Sequence, residues 1–327
     1  MVYKAMRDVF FSLLYEEAKK DRDIILLSVD LGAPSLDEFR ENLPGQFINI
    51  GISEQNAILV AAGMALRGKK VFVYGITEFI TLRCLEQIKL YVCGMNLPIV
   101  ILGIGSGLSF SCDGMTHHSI EQISIIRTLP NIRIVNCSDN TVVRKVWEQV
   151  LRQDRAYLIL FEKEILESLW GRQEIDITKG FSSLNTRLAK IVLVSTGIMS
   201  KEAVDLLNCH ELKEKGIGII DVFCFPMDEE AFLNEIGDCA FIITMEENVR
   251  RGGLGSYILE VLSDNGKQVR TKRFALDTRE GYKASYNYPK RDYIRQGYGL
   301  DKNQVLEKIK NYLEENGSEA RGKEFCR

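Results

Sequence analysis

Two short stretches of this chain carry side chains suited to proton chemistry. The first is Gly51-Ile-Ser-Glu-Gln-Asn56, where a carboxyl group stands between the extended run Phe47 to Ile50 and a stretch of small apolar residues from Ala57 to Leu66. Ser53 has the type of a helix N-cap, and Glu54 then falls in the first turn, where a carboxylate suits the positive end of the helix dipole. Read locally, that is a capped helix with an acidic start, a common arrangement. The second stretch is Asp113-Gly-Met-Thr-His-His-Ser-Ile-Glu-Gln122, which follows a loop rich in Gly and Ser. The chain has three histidines, and two of them, His117 and His118, are adjacent here. An imidazole that titrates near neutrality can move protons to and from oxygen. A metal site is not expected, because adjacent histidines point apart and no third ligand stands at a useful spacing. Between the two stretches, Phe79 in Glu78-Phe-Ile-Thr-Leu-Arg-Cys-Leu-Glu-Gln-Ile88 offers a flat ring, which by itself reads as the core of an amphipathic helix.

These residues need a frame, and the hydrophobic pattern supplies one. Short, almost wholly apolar runs are predicted as strands at 24–29, 71–75, 98–103, 130–135 and 156–161. Helical stretches separate them, at 4–20, from Ala57 on, at 78–93, at 119–129 with Ser119 as cap, and at 139–153. Strands apolar on both sides and alternating with helices imply a mostly parallel sheet covered by helices. The pattern fades over a mixed polar segment and then restarts, with strands at 190–195, 218–222, 240–244 and 269–274 and a last helix at 303–315. The expected fold class is α/β with two domains, each a mostly parallel sheet flanked by helices. The expected division is 1–164, a linker at 165–187, 188–316, and a polar, disordered tail at 317–327. Ligands of open α/β sheets bind beyond strand ends, where Asp30-Leu-Gly-Ala-Pro-Ser35 and the Gly105 loop would lie.

Composition narrows the function. The length of 327 residues, 46% hydrophobic, suits two domains with their own cores. A net charge of −3, from 42 basic and 45 acidic residues, gives no footprint for nucleic acid. The eight cysteines form no CxxC pair and read as reduced thiols of a cytoplasmic protein. No signal peptide is read at the start, and no apolar run approaches the roughly 20 residues of a membrane span. Glu246-Glu-Asn-Val-Arg-Arg-Gly-Gly-Leu-Gly-Ser256 lacks the lysine and spacing of a phosphate-binding loop and reads as a structural glycine turn.

The Glu54 motif, with Ala61-Ala-Gly-Met-Ala-Leu66 after it, resembles the pyrimidine-domain motif of the transketolase family. That resemblance implies that Glu54 faces N1′ of the aminopyrimidine of thiamine diphosphate and helps its 4′-amino group take the thiazolium C2 proton. Such a carboxyl must be sheltered from water. It implies that Phe79 stacks on the ring, with Ile76 and Leu82 at positions often aromatic in the family. Ile52 and Asp30 are expected at the cofactor pocket as well. Asp113-Gly-Met-Thr-His-His-Ser-Ile-Glu is similar to the family run Asp-Gly-Pro-Thr-His-Gln-x-Ile-Glu, with Met115 and His118 as departures. By carry-over Asp113 and His117 bind substrate hydroxyls, and His117 shares the catalytic role with Glu54.

The resemblance covers residues 1 to about 316 and only the latter half of a full transketolase. The Gly-Asp-Gly motif that holds diphosphate and Mg²⁺ belongs to the other half, so the resemblance implies a separate pyrophosphate-domain subunit, an α2β2 assembly, and self-association through the C-terminal half. No metal ligand is expected on this chain. Substrate residues diverge. Gly105 stands where the family has a histidine, and Glu162 and Lys163 stand near an expected arginine. Arg7 and Ser35 match the arginine of the first helix and the serine after the first strand. The implied reaction is two-carbon ketol transfer, with an unphosphorylated, sulfonated or nucleotide-linked sugar as alternatives to a sugar phosphate. The other readings are the β subunit of a 2-oxo acid dehydrogenase, a deoxyxylulose-phosphate-synthase-like enzyme, and a non-catalytic subunit that kept the fold.

Overall fold

The computed structural model describes residues 4–152, 154–171, 175–213, 215–283 and 288–324. The apolar runs form the strands expected of them, and three further short strands, Phe47–Asn49, Phe181–Leu184 and Cys224–Phe225, join them. In the first half these are β1 (Ile24–Ser28), β2 (Phe47–Asn49), β3 (Lys70–Ile76), β4 (Val100–Ile104), β5 (Ile132–Asn136) and β6 (Ala156–Phe161). In the second half they are β7 (Phe181–Leu184), β8 (Ile191–Ser195), β9 (Ile217–Val222), β10 (Cys224–Phe225), β11 (Phe241–Val249) and β12 (Arg270–Leu276). One sheet has the order β10-β5-β6-β4-β3-β1-β2 and the other β12-β11-β8-β9-β7. All pairings are parallel except β10 with β5 and β7 with β9. The two-domain α/β architecture is thus the one expected.

Side chains of a strand alternate between faces, and both faces here are covered. Ile25 and Leu27 of β1 point into one apolar cluster, Ile24 and Leu26 into another. The second cluster is closed by the helices Met6–Ala18 and Asn140–Val150, with Phe10 edge-on to Trp147 at 5.3 Å between ring centroids. Asp139 caps the latter helix by accepting from the amides of Thr141 and Val142, and its second oxygen accepts from the amide of Leu169.

Several elements differ from the sequence expectation. The stretch 165–187, read as linker, contains β7, which pairs with β9. Two residues of the second half, Cys224 and Phe225, add a strand to the edge of the first sheet, so the halves interlock. The helix expected at 78–93 is broken into Thr77–Thr81, a 3-10 turn at Leu82–Cys84, a short turn at Leu85–Gln87 and a π segment at Ile88–Cys93. Such breaks re-aim side chains along an otherwise regular helix. Ser119 caps no helix. It exchanges both backbone hydrogen bonds with Gly107, and the helix that follows is only Gln122–Ile126. The last helix runs Lys302–Glu324, past the end expected at 315 and into the segment read as a disordered tail, whose Glu, Ala, Arg and Lys residues favour helix.

The helix Arg291–Tyr298 was not expected at all. It escapes pattern reading because its buried face carries two arginines. Arg291 donates to Glu162 (2.8 Å) at the end of β6 and to Glu247 (2.6 Å) on β11. Arg295 donates to Glu247 (2.5 Å) and to Glu202 (2.8 Å). Glu162, Glu247, Arg291 and Arg295 are all buried, so four charges bridge the two sheets out of contact with water. Burial opposes ionisation of Glu247, but Arg291 and Arg295 outweigh it and hold its carboxyl down to about 2.

Candidate active site

β2 ends at Asn49, and its side-chain oxygen accepts from the amides of Gly51 and Asp30. Gly51 has φ +78, a left-handed turn that only glycine takes without strain, and it turns the chain into the helix Glu54–Leu66. Ser53 occupies the N-cap position but makes no side-chain cap bond. The helix start is instead organised around Glu54, which is 4% exposed although it is a carboxylate. Its Oε2 accepts from Nη1 of Arg83 at 2.9 Å. The same guanidinium lies over the Phe79 ring, with Cζ 4.2 Å from the ring centroid. Arg83 stands in the 3-10 turn Leu82–Cys84, and Gln55 Nε2 holds the carbonyl of Arg83 at 3.0 Å.

The other wall comes from the loop after β4. His117 meets the Phe79 ring edge-on at 4.8 Å and the Phe110 ring at 5.9 Å, and its Nδ1 lies 3.0 Å from Thr116 Oγ1. Glu54, Phe79 and His117, far apart in sequence, are therefore joined in one chain of contacts, Arg83 linking Glu54 to Phe79 and Phe79 meeting His117, and we call this region the slot. His118 is buried apart from it, with Nε2 on the carbonyl of Ser111, and burial lowers the pKa of its ring. Gly105 (φ +92) packs under Phe110 so closely that a Cβ would overlap the ring. No side chain fits at Gly105, and an aromatic ring stands in that space. Lys163 also lies over this ring, with Nζ 4.6 Å from its centroid.

The remaining expected residues sit around this slot or form a second group. Asp113 is exposed in the Ser111–Asp113 turn of the same loop. Ile52 is 76% exposed. Asp30 (φ +60) is exposed at the end of β1 and accepts from Asn49 Nδ2 at 2.9 Å. Arg7 and Ser35 are brought together by Asp8, whose Oδ1 accepts from Arg7 Nε at 2.9 Å and from Ser35 Oγ at 2.8 Å. Glu162, which stands near the arginine expected from the resemblance, accepts hydrogen bonds from Arg291 and Ser109. Sequence reading missed Arg83, Phe110 and Arg291. Arg83, four residues after Phe79, was within reach of helical spacing, while the other two depend on how distant loops fold back.

Next to Phe79, Glu78 accepts a short hydrogen bond from Gln122 and lines a cavity of about 290 Å³ with Met115, His118, Glu121 and Tyr282. Burial, with Glu121 close by, raises the carboxyl of Glu78 to about 7. The fold therefore prefers the neutral acid. Its contribution to stability is full below the unfolded value near 4.5 and is lost as pH rises through about 7. Glu78→Gln should accordingly flatten the fall of the urea midpoint between pH 5 and pH 8. An unchanged slope would show that Glu78 is ionised throughout.

The slot matches the chemistry of a flat, nitrogen-rich ring: a buried carboxylate at one edge, an aromatic face to stack on, and a guanidinium already making both contacts. Comparison with known proteins bears on the family of the chain. A family model described as the transketolase pyrimidine binding domain matches residues 3–167, and one described as the transketolase C-terminal domain matches residues 185–305. One subunit of the apulose-4-phosphate transketolase of Phocaeicola vulgatus is 32% identical over 270 residues, 81% of this chain and 86% of that protein. The SqwH subunit of the 6-deoxy-6-sulfo-D-fructose transketolase of a Clostridium species is 34% identical over 265 residues, 80% of this chain and 81% of that protein. Among solved structures, a split gene transketolase described as an inactive beta4 tetramer superposes with a TM-score of 0.80 at 22% identity, covering 95% of this chain and 98% of that one. That last likeness bears on the fold.

Proposed function

This chain belongs to the transketolase family, and from that membership we propose that it is the C-terminal subunit of a two-subunit thiamine-diphosphate transferase, active only with a pyrophosphate-domain partner. The observation that carries the reading is buried Glu54 joined through Arg83 to the Phe79 ring, which His117 meets edge-on. Glu54 would hold the cofactor's aminopyrimidine by its edge and Phe79 by its face. Ile52 and Asp30 flank the entrance. Bound there, the cofactor would supply the nucleophilic carbon for two-carbon ketol transfer from a ketose to an aldose. His117, with Asp113 on the same loop, is assigned to substrate hydroxyls, where an imidazole can relay protons.

The partner is assigned to an apolar face that the chain leaves open. The helix Glu54–Leu66 is apolar nearly all round, yet Leu59 and Leu66 are exposed along with Ile52 just before it. A second subunit covering this face would also close the slot. Diphosphate and Mg²⁺ are assigned to that subunit, in an α2β2 assembly with self-association through the C-terminal half. Sulfonated and unusual phosphorylated sugars, named in the two relatives, fit a site where Gly105 and Phe110 replace a polar side chain. Lys163 over Phe110 is the cation placed to meet the anionic end of such a sugar, with Arg7 and Ser35 as a second point of contact. No helix among the described residues is long and apolar enough to cross a membrane, and seven described cysteines are free thiols, which fits the cytoplasm.

Affinity purification from the native lysate tests the pairing. A protein carrying a Gly-Asp-Gly motif with an asparagine some thirty residues on is expected to co-purify, and the pair is expected to consume a ketose in the presence of an aldose. Consumption of pyruvate instead would favour the 2-oxo acid dehydrogenase or deoxyxylulose-phosphate readings. A chain that purifies alone would refute the two-subunit assignment.

A further inference from the structure

Arg83 makes, with its own side chain, the two contacts that a bound aminopyrimidine would need. Its guanidinium is flat, carries N–H donors on its edge, and presents a π-face. The edge donates to buried Glu54 at 2.9 Å, and the face lies on Phe79 at 4.2 Å from the ring centroid. One planar group cannot stack on Phe79 and donate to Glu54 while another does the same. We propose that Arg83 is a resident plug of the cofactor slot, which thiamine diphosphate must displace to bind. This rests on the cofactor reading above and adds a conformational step to it.

The surroundings support a group that can leave. The Arg83 side chain is 45% exposed, whereas its partner Glu54 is 4% exposed. Glu54 is thus fixed in the wall, and Arg83 reaches it from the solvent side. The backbone of Arg83 is held separately, through its carbonyl and Gln55, in a 3-10 turn that follows a break in the helix. The side chain can therefore swing into solvent without disturbing Phe79 or the helix. The plug also protects the empty chain, because a buried carboxylate without a partner is costly. Arg83 satisfies Glu54 until the cofactor does. Displacement taxes cofactor affinity, since only the fraction of molecules with Arg83 swung out is competent to bind.

Equilibrium dialysis of thiamine diphosphate against the complex of this chain with its partner subunit, at fixed Mg²⁺, tests the plug without relying on activity. Arg83→Ala and Arg83→Met are expected to bind the cofactor about tenfold more tightly than the parent, each tenfold being about 1.4 kcal/mol. Arg83→Gln, which keeps a flat donor without the charge, should fall between. Because Arg83→Ala and Arg83→Met leave Glu54 without this donor, thermal denaturation of the full chain verifies that the variants fold, and Arg83→Gln keeps a donor for Glu54. Equal or weaker binding by folded Arg83→Ala and Arg83→Met would overturn the plug and make Arg83 a positioning residue of the loaded site. Failure of parent and variants alike to bind the cofactor would reject the cofactor reading, and the plug with it.

Discussion

Replacing Glu54 with glutamine is expected to lower ketol transfer by the assembled enzyme by about a thousandfold or more, equivalent to roughly 4 kcal/mol of barrier at 1.36 kcal/mol per tenfold. Glutamine matches glutamate in size and can still accept a hydrogen bond at the start of the helix Glu54–Leu66, so the fold and the contact with the partner should survive. On the proposed role, what would be lost is the carboxyl that shares a proton with the cofactor ring, and no neighbour would replace it. His117 contacts the Phe79 ring rather than Glu54, and Arg83 donates hydrogen bonds but does not release its proton. Initial rates measured alongside co-purification of the partner separate the two effects. Turnover within a few-fold of the parent, with assembly intact, would remove Glu54 from the mechanism.

The second large effect concerns stability. Arg291→Ala is expected to cost about 3–5 kcal/mol, because removing one member of a buried charge group leaves the others uncompensated. Arg291 is the only described residue that donates to both Glu162 and Glu247, which come from different sheets. Without it Glu162 keeps only short contacts to Ser109 and local amides, and Glu247 keeps Arg295 and the amide of Leu108. Urea denaturation at pH 7 measures the loss. Acid should expose the same network in the parent, since Glu247, held down to about 2, stabilises the fold above its unfolded value near 4.5 and loses that effect as pH falls toward 2. A cost below about 1 kcal/mol for Arg291→Ala would mean that the two carboxylates are not held ionised by it.

The bridge also explains a departure that looked functional. Glu162 stands near a position where the family resemblance calls for an arginine, and a carboxylate there taken alone would repel an anion. The helix Arg291–Tyr298 supplies the missing positive charge from 129 residues away, and Lys163 is left to face the loop. Charge at the site therefore cannot be counted from the strand-end residues alone.

What the sequence determined by itself is the part governed by near neighbours. Apolar runs such as Ala156–Phe161 become buried parallel strands because no polar face is available to them. Glu54 falls at the start of a helix because a strand, a glycine turn and an apolar stretch follow one another there. The Asp113 to Gln122 run marked the loop that carries His117 by its local residue types. Only the tertiary structure decided what these residues meet. Helical spacing brings Arg83 near Phe79, but its contact with Glu54, on another helix, is made only in the tertiary structure. The fit of Phe110 over Gly105, the strand at Cys224–Phe225 that joins the first sheet, and the Arg291 bridge all depend on how loops and distant segments fold back on one another. Spacing along a chain fixes which side chains share a face of one element. It does not fix which elements pack together, and the contacts that set charge and access in this slot are made between elements.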